Sequence, residues 1–281
     1  MFGVGERLAP GVTGRAAFAL FCRTPDPRKL TPGERKAVQG AAGFMEGARR
    51  HCLTTRHGRV TAHEFRPEPS RCRPGTVLML HGWRSRTEYM RFLIAGYRDA
   101  GYRVVSLDLP GHGQSGGRKL TMVNAVEAAS AVGDWFGPFE VVVGHSFGGA
   151  VAVNAAAGAI AGIAPLQTER LVLIAAPSSL PMVFEGYSRM LNVGPRSQDI
   201  MADRVRQISG RPLGDFLGDR QLAGLPLPTL VIHAPDDREV SAEQARAYCR
   251  AGPHVEVHWA EGLGHRRILA DKTVVGRAVD F

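Results

Sequence analysis

The amino-acid sequence predicts an α/β fold, and three observations carry the prediction. Short runs of β-branched and aliphatic residues recur at Thr76–Leu80 (TVLML), 102–107 (YRVVSL), 141–143 (VVV), 170–176 (RLVLIAA), Thr229–His233 (TLVIH) and Val255–Trp259 (VEVHW). Each has the length and composition of a short strand. Stretches that suit helices lie among them, at 88–98, 121–135 and 241–250,. The third observation is the stretch 139–150, FEVVVGHSFGGA, where a valine strand passes through Gly144-His145-Ser146-Phe147-Gly148-Gly149 into an Ala-rich helix. G-x-S-x-G standing between strand and helix is the context that gives this pattern its meaning. A serine at so sharp a turn is held in a strained backbone conformation, so the residues two away must be small, as Gly144 and Gly148 are,. The Ser146 hydroxyl is thereby pushed out above the sheet. The amide of Phe147, at the helix N-terminus, points to where an oxyanion would form.

Length and composition bound the rest. With 281 residues, 44% hydrophobic and 22% charged, the chain can build one large α/β domain with an insertion,. Its four cysteines, Cys22, Cys52, Cys72 and Cys249, lie far apart with no C-x-x-C pair. That usage predicts free thiols in a reducing, cytoplasmic compartment, with no disulfide or zinc framework. Net charge is +9, and residues 1–75 hold 14 Lys/Arg against 6 Asp/Glu, while the remainder is nearly neutral. These cations are scattered, with no run longer than a pair such as Arg49-Arg50. They predict a solvated face in preference to a nucleic-acid or anionic-membrane patch. The apolar run at 16–21 is far shorter than the roughly 20 residues a span requires,. The uncharged run at 147–166 is built from Ala and Gly, starts at the Ser146 turn, and predicts a buried central helix,. Neither a signal peptide nor a transmembrane segment is expected.

In chain order, residues 1–30 are rich in Gly and Pro and show no clear period. A helix is expected from Thr31, where Thr31, Pro32 and Glu34 spell a capping box, to about Arg50,. Segments 52–55 and 59–65 flank Arg56-His57-Gly58, a hairpin turn,. The strand Thr76–Leu80 runs into His81-Gly82-Trp83, where Gly82 permits a tight turn that lets a backbone N–H face Ser146,. The Trp83 indole either lines a pocket or packs. At 108–116 (DLPGHGQSG), Gly111, Gly113 and Gly116 match the dinucleotide fingerprint,. Pro110 and Gly117-Arg118-Lys119 keep any helix from opening at these glycines, and no strand-end acid follows about 20 residues on, so no nucleotide cofactor is expected,. Between 177 and 228 the strand pattern stops. After Thr229–His233, adjacent Asp236 and Asp237 offer the carboxylate that a Ser–His pair needs to hold its imidazole,. His265 follows in the loop Gly262-Leu263-Gly264, after the last strand; His258 lies within that strand and His254 before it.

These stretches together resemble the α/β hydrolases, and D-x-P-G-x-G-x-S at 108–115 is similar to a structural loop of that family. The resemblance implies a mostly parallel twisted sheet with helices on both faces, preceded by an antiparallel hairpin. It implies a core of residues 51–176 and 229–281 and a helical cap at 177–228; the basic stretch 1–50, with the one helix expected from Thr31, is an N-terminal extension added to that pattern. It gives the second oxyanion amide to Trp83 beside that of Phe147. Through Val240 and Ser241 it selects Asp237 over Asp236, and it completes the chain order Ser146, Asp237, His265. The expected activity is a serine hydrolase acting through an acyl-enzyme on a carboxylic ester or related acyl bond, esterase-, lipase- or thioesterase-like. Neither metal nor organic cofactor is needed. Met182 and Phe184 are expected to touch a small, apolar acyl substrate. A serine in place of an aspartate nucleophile disfavours dehalogenase or epoxide-hydrolase chemistry. A non-catalytic ligand-binding member of the fold and an acyltransferase using the same residues remain alternatives.

Overall fold

The structure, a computed structural model, describes residues 2–281. Its frame is an eight-stranded sheet: β1 (Arg49–Thr55), β2 (Gly58–Phe65), β3 (Thr76–Leu80), β4 (Arg103–Asp108), β5 (Phe139–His145), β6 (Thr168–Ile174), β7 (Thr229–His233) and β8 (Val255–Trp259), in the spatial order β1-β2-β4-β3-β5-β6-β7-β8. β1 and β2 form the expected hairpin, β2 runs antiparallel to β4, and the remaining pairs are parallel. The order turns back at β3: β4 lies on one side of it and β5 on the other. In open α/β sheets, ligands bind outside the carboxyl ends of the strands at such a switch point.

Strand alternation supplies two cores. Leu78 and Leu80 of β3 enter the cluster on one face, with α6 (Met122–Phe136), α7 (Phe147–Ala156) and α11 (Ala242–Cys249). Val77 and Met79 enter the other, with α5 (Arg91–Asp99) and α13 (Lys272–Asp280), where Tyr97 donates its hydroxyl proton to the Ala278 carbonyl. α5 is preceded by a 3₁₀ turn at Thr87–Met90, so the helix expected from residue 88 begins as a tighter coil.

The N-terminal region departs from expectation. In place of one helix it holds α1 (Phe2–Leu8), α2 (Pro10–Phe21), α3 (Pro32–Gln39) and α4 (Ala42–Glu46). The Thr31 capping box forms: the Glu34 amide donates to Thr31 Oγ1, and the Thr31 amide to Glu34 Oε2. But α3 buries no residue, stops at Gly40, and leaves Phe44 to α4, where it stacks on Phe65 with ring centroids 5.1 Å apart. Strand pairing of Arg49 with Glu64 then claims the chain before residue 50. The 147–166 run is likewise not one helix: α7 ends at Ala156 and the chain turns at Gly158, φ +59°. Ile160 and Leu166 stay buried, so the apolar composition serves the core without prolonging the helix.

Between β6 and β7 lie α8 (Leu180–Leu191), α9 (Pro195–Ser209) and α10 (Gly218–Ala223). Among the described residues no helix is long and apolar enough to cross a membrane.

Candidate active site

Ser146 sits between β5 and α7 with φ 52° and ψ −125°, a backbone conformation that costs a non-glycine residue of order 1–3 kcal/mol,. The surrounding glycines permit it by contact. A Cβ on Gly144 would lie 2.5 Å from the Gly148 carbonyl oxygen, and one on Gly148 would collide with the carbonyl of Leu80 at the end of β3. The turn is therefore tight because two strands and a helix meet there with no side chain between them.

Asp237 follows β7 and His265 lies in α12 (Gly264–Arg267), a short helix where a loop was expected. His265 Nδ1–H donates to Asp237 Oδ2 at 2.7 Å, and the Ser146 hydroxyl donates to His265 Nε2 at 3.0 Å. The carboxylate acceptor fixes which imidazole nitrogen carries the proton, leaving Nε2 free to accept. Asp237 Oδ1 takes the amides of Glu239 at 2.8 Å and Val240 at 3.0 Å. Burial of Asp237 would raise its pKa, but the His265 bond and these amides outweigh it and hold the carboxyl below the ordinary carboxylate value,. Asp236 is exposed and contributes no side-chain bond to this chain of groups.

A second set of buried groups fixes the loop after β3. His81 Nδ1–H donates to the Gly82 carbonyl at 2.8 Å, and its Nε2 accepts from the Leu109 amide at 2.9 Å. His112 Nε2 accepts from the Arg84 amide at 3.0 Å, and its Nδ1–H donates to the Pro110 carbonyl at 3.1 Å. Both rings work in the neutral form, and burial pushes His112 down to about 4,. Asp108 takes His63 Nε2–H at 3.0 Å and the amides of Thr87 and Gln114 at 3.0 and 2.9 Å. The glycine-rich 108–116 stretch is thus a clamp that sets the path of His81-Gly82-Trp83. Gly82 abuts the serine: a Cβ there would lie 2.9 Å from Ser146 Cβ. Trp83 and Phe147 flank Ser146, their rings edge to face at 6.2 Å, and among the described residues neither amide donates to a protein acceptor.

Two neighbours of His265 carried no sequence signal. His145 Nε2–H donates to the His265 carbonyl at 2.9 Å, tying the imidazole's backbone to the strand that bears Ser146. Burial, reinforced by His265, pushes His145 down to about 3, so it stays neutral. Glu239 Oε2 lies 3.9 Å from His265 Nε2 and its Oε1 accepts from Arg266 Nε at 3.1 Å.

Ser146 opens into a cavity of about 630 Å³, within the range of small-molecule sites,. Its walls are overwhelmingly apolar, and Arg23 and Glu239 are the charged residues on them. Trp83, Phe147 and Phe184 line it. Met182 does not: it is half exposed on α8, and its sulfur accepts from Gln244 Nε2 at 3.1 Å. The helical turn at 182–184 cannot aim both side chains inward, because residues two apart face different sides. Phe18, Phe21 and Cys22 line the cavity too, from a segment whose sequence showed no period.

The comparisons with known proteins agree with this frame. Naproxen esterase (carboxylesterase NP) of Bacillus subtilis superposes with a TM-score of 0.62 at 15% identity, covering 90% of this chain and 98% of that one. A bromoperoxidase of Bacillus anthracis superposes at 0.59 with 16% identity, covering 82% and 98%. At such identities the likeness is one of fold. The chain is also 40% identical over 88 residues to the dihydrolipoyllysine-residue acetyltransferase component of the acetoin cleaving system of Cupriavidus necator, a match spanning 30% of this chain and only 23% of that protein. The model of the alpha/beta hydrolase family matches residues 77–277, from β3 to α13 and including Ser146, Asp237 and His265. The chain belongs to the α/β hydrolase family.

Proposed function

We propose that this protein is a serine hydrolase that cleaves a carboxylic ester or related acyl bond of an apolar substrate, with Ser146, His265 and Asp237 as its triad. One observation carries the reading: the unbroken hydrogen-bond chain from Asp237 through His265 to Ser146, 2.7 and 3.0 Å long, ends at the head of an apolar cavity. Ser146 Oγ attacks the carbonyl carbon as its proton passes to His265 Nε2, and Asp237 stabilises the imidazolium. The negative charge moves to the carbonyl oxygen, where the amides of Trp83 and Phe147 receive it. Each such donor contributes about 2.7–4 kcal/mol to the transition state. Nε2 then returns the proton to the leaving group, and water repeats the cycle on the acyl-enzyme. Residues 177–228 act as a cap over the core of 51–176 and 229–281, excluding water from the reacting carbonyl.

Hydrolysis of p-nitrophenyl esters tests this. Ser146→Ala is expected to lower kcat by about 10⁴-fold or more, with the circular dichroism spectrum unchanged. Undiminished turnover in that variant overturns the proposal.

A further inference from the structure

The N-terminal helices lie outside the family-matched segment 77–277, and the structure places one of them, α2, in the wall of the cavity at Ser146. We propose that α2 is the outer wall of that cavity and that Phe21, braced by Phe184 and Tyr187, sets the longest linear acyl chain it admits. This inference rests on the serine-hydrolase reading above.

The helix is docked along its whole length. Glu6, in α1, accepts the Arg196 and Ser197 amides at 2.9 and 3.0 Å, placing a carboxylate on the positive end of the 15-residue α9,. Gly14 brings the helix backbones together, since a Cβ there would lie 2.5 Å from the Ser197 carbonyl oxygen. Ser197 Oγ donates to the Pro10 carbonyl, and the Tyr187 hydroxyl to the Ala17 carbonyl, each at 3.2 Å. At the other end the Leu120 amide donates to the Cys22 carbonyl at 2.8 Å, and the Thr24 amide to the Arg118 carbonyl at 3.1 Å. So α2 bridges α9 to the segment that leads into α6.

The two faces of α2 have different tasks. Thr13, Gly14 and Ala17 are small and buried, as close packing on a neighbouring helix requires,. Phe18 and Phe21, three apart and therefore on one side, line the cavity,. The Phe21 ring lies 4.4 Å from Phe184 and 4.9 Å from Tyr187, centroid to centroid. An aromatic wall assembled from two elements and backed by a docked helix is a stop: packed rings yield little to an extra methylene. Up to that stop, each methylene that leaves water is expected to raise kcat/KM about fourfold.

The test is a series of p-nitrophenyl esters from acetate to palmitate, read for the chain length at which kcat/KM stops rising. In parallel, dissociation constants of the same esters are measured on Ser146→Ala, which holds them without turnover. The wall predicts that Phe21→Ala moves the break to longer chains by two carbons or more in both series. It predicts that Phe21→Trp moves the break to shorter chains, and this second variant keeps the test open if the first does not fold. A break that stays in place in both variants, or a uniform loss across all chain lengths, overturns the wall. A break that moves in the binding series while wild-type protein turns over no ester upholds the wall and overturns the hydrolase reading, so the two failures are distinguishable.

Discussion

The sheet with its serine turn and the helical shell above it are built by different rules. In the frame, the serine turn is set by local requirements: Gly144 is small because a Cβ there would lie 2.5 Å from the Gly148 carbonyl oxygen, four residues on across the turn that carries Ser146. In the shell, the decisive contacts join residues far apart in sequence, such as Glu6 with Arg196, Gly14 with Ser197 and Phe21 with Phe184. The chemical groups are thus held by a rigid, locally written scaffold, while the space for substrate is assembled from distant pieces. A substitution in the frame should cost reaction or fold; one in the shell should change selectivity.

The largest expected difference lies between two adjacent carboxylates. Asp237→Asn, which disturbs the imidazole tautomer, is expected to lower kcat for p-nitrophenyl acetate by about 10⁴-fold, whereas Asp236→Asn should leave it within about twofold. Equal losses would place the acid elsewhere. Next come two glycines. Gly148→Ala drives a methyl group into the Leu80 carbonyl and should cost about 3 kcal/mol or more in denaturant unfolding,. Gly186→Ala in α8, where a Cβ meets nothing within 4 Å, should stabilise by about 0.5–1 kcal/mol,.

Acidification discriminates more gently. His112 and His145 take a proton in the folded protein only at about 4 and about 3, against an ordinary 6.5. Between those values the unfolded chain binds more protons. Their contribution is therefore complete above pH 6.5 and falls as pH drops toward 4, by at most roughly 1.4 kcal/mol per pH unit for each ring. Asp108 and Asp237, both held below the ordinary carboxylate value, add a further loss below about pH 4 as they protonate,. Melting temperatures flat from pH 7 to 5 would contradict this. The smallest effect is expected from Glu6→Gln, which weakens the cap of α9: faster amide exchange at Arg196 and Ser197, with ester turnover retained. Unchanged exchange there would remove Glu6 from the docking.

The same contrast explains what could be read in advance. The order of strands from residue 76 onward, and the positions of Ser146, Asp237 and His265 after strand ends, were visible because each is signalled within a few residues. β-branched runs mark the strands, and small residues mark the turns. The N-terminal helices were not visible. α2 has Gly11 and Gly14 in its interior and apolar residues on two sides, one for α9 and one for the cavity, which erases the single stripe that periodicity detects,. His145 was hidden for another reason. Its partner is a backbone carbonyl at residue 265, and nothing in sequence marks such an acceptor.

The central claim is that Ser146 is an activated nucleophile. Intact-mass analysis after treatment with a fluorophosphonate tests it most directly. One adduct per chain, mapped to Ser146 and abolished in His265→Ala, is the predicted result. No adduct, or one that persists undiminished without the imidazole, would contradict the account.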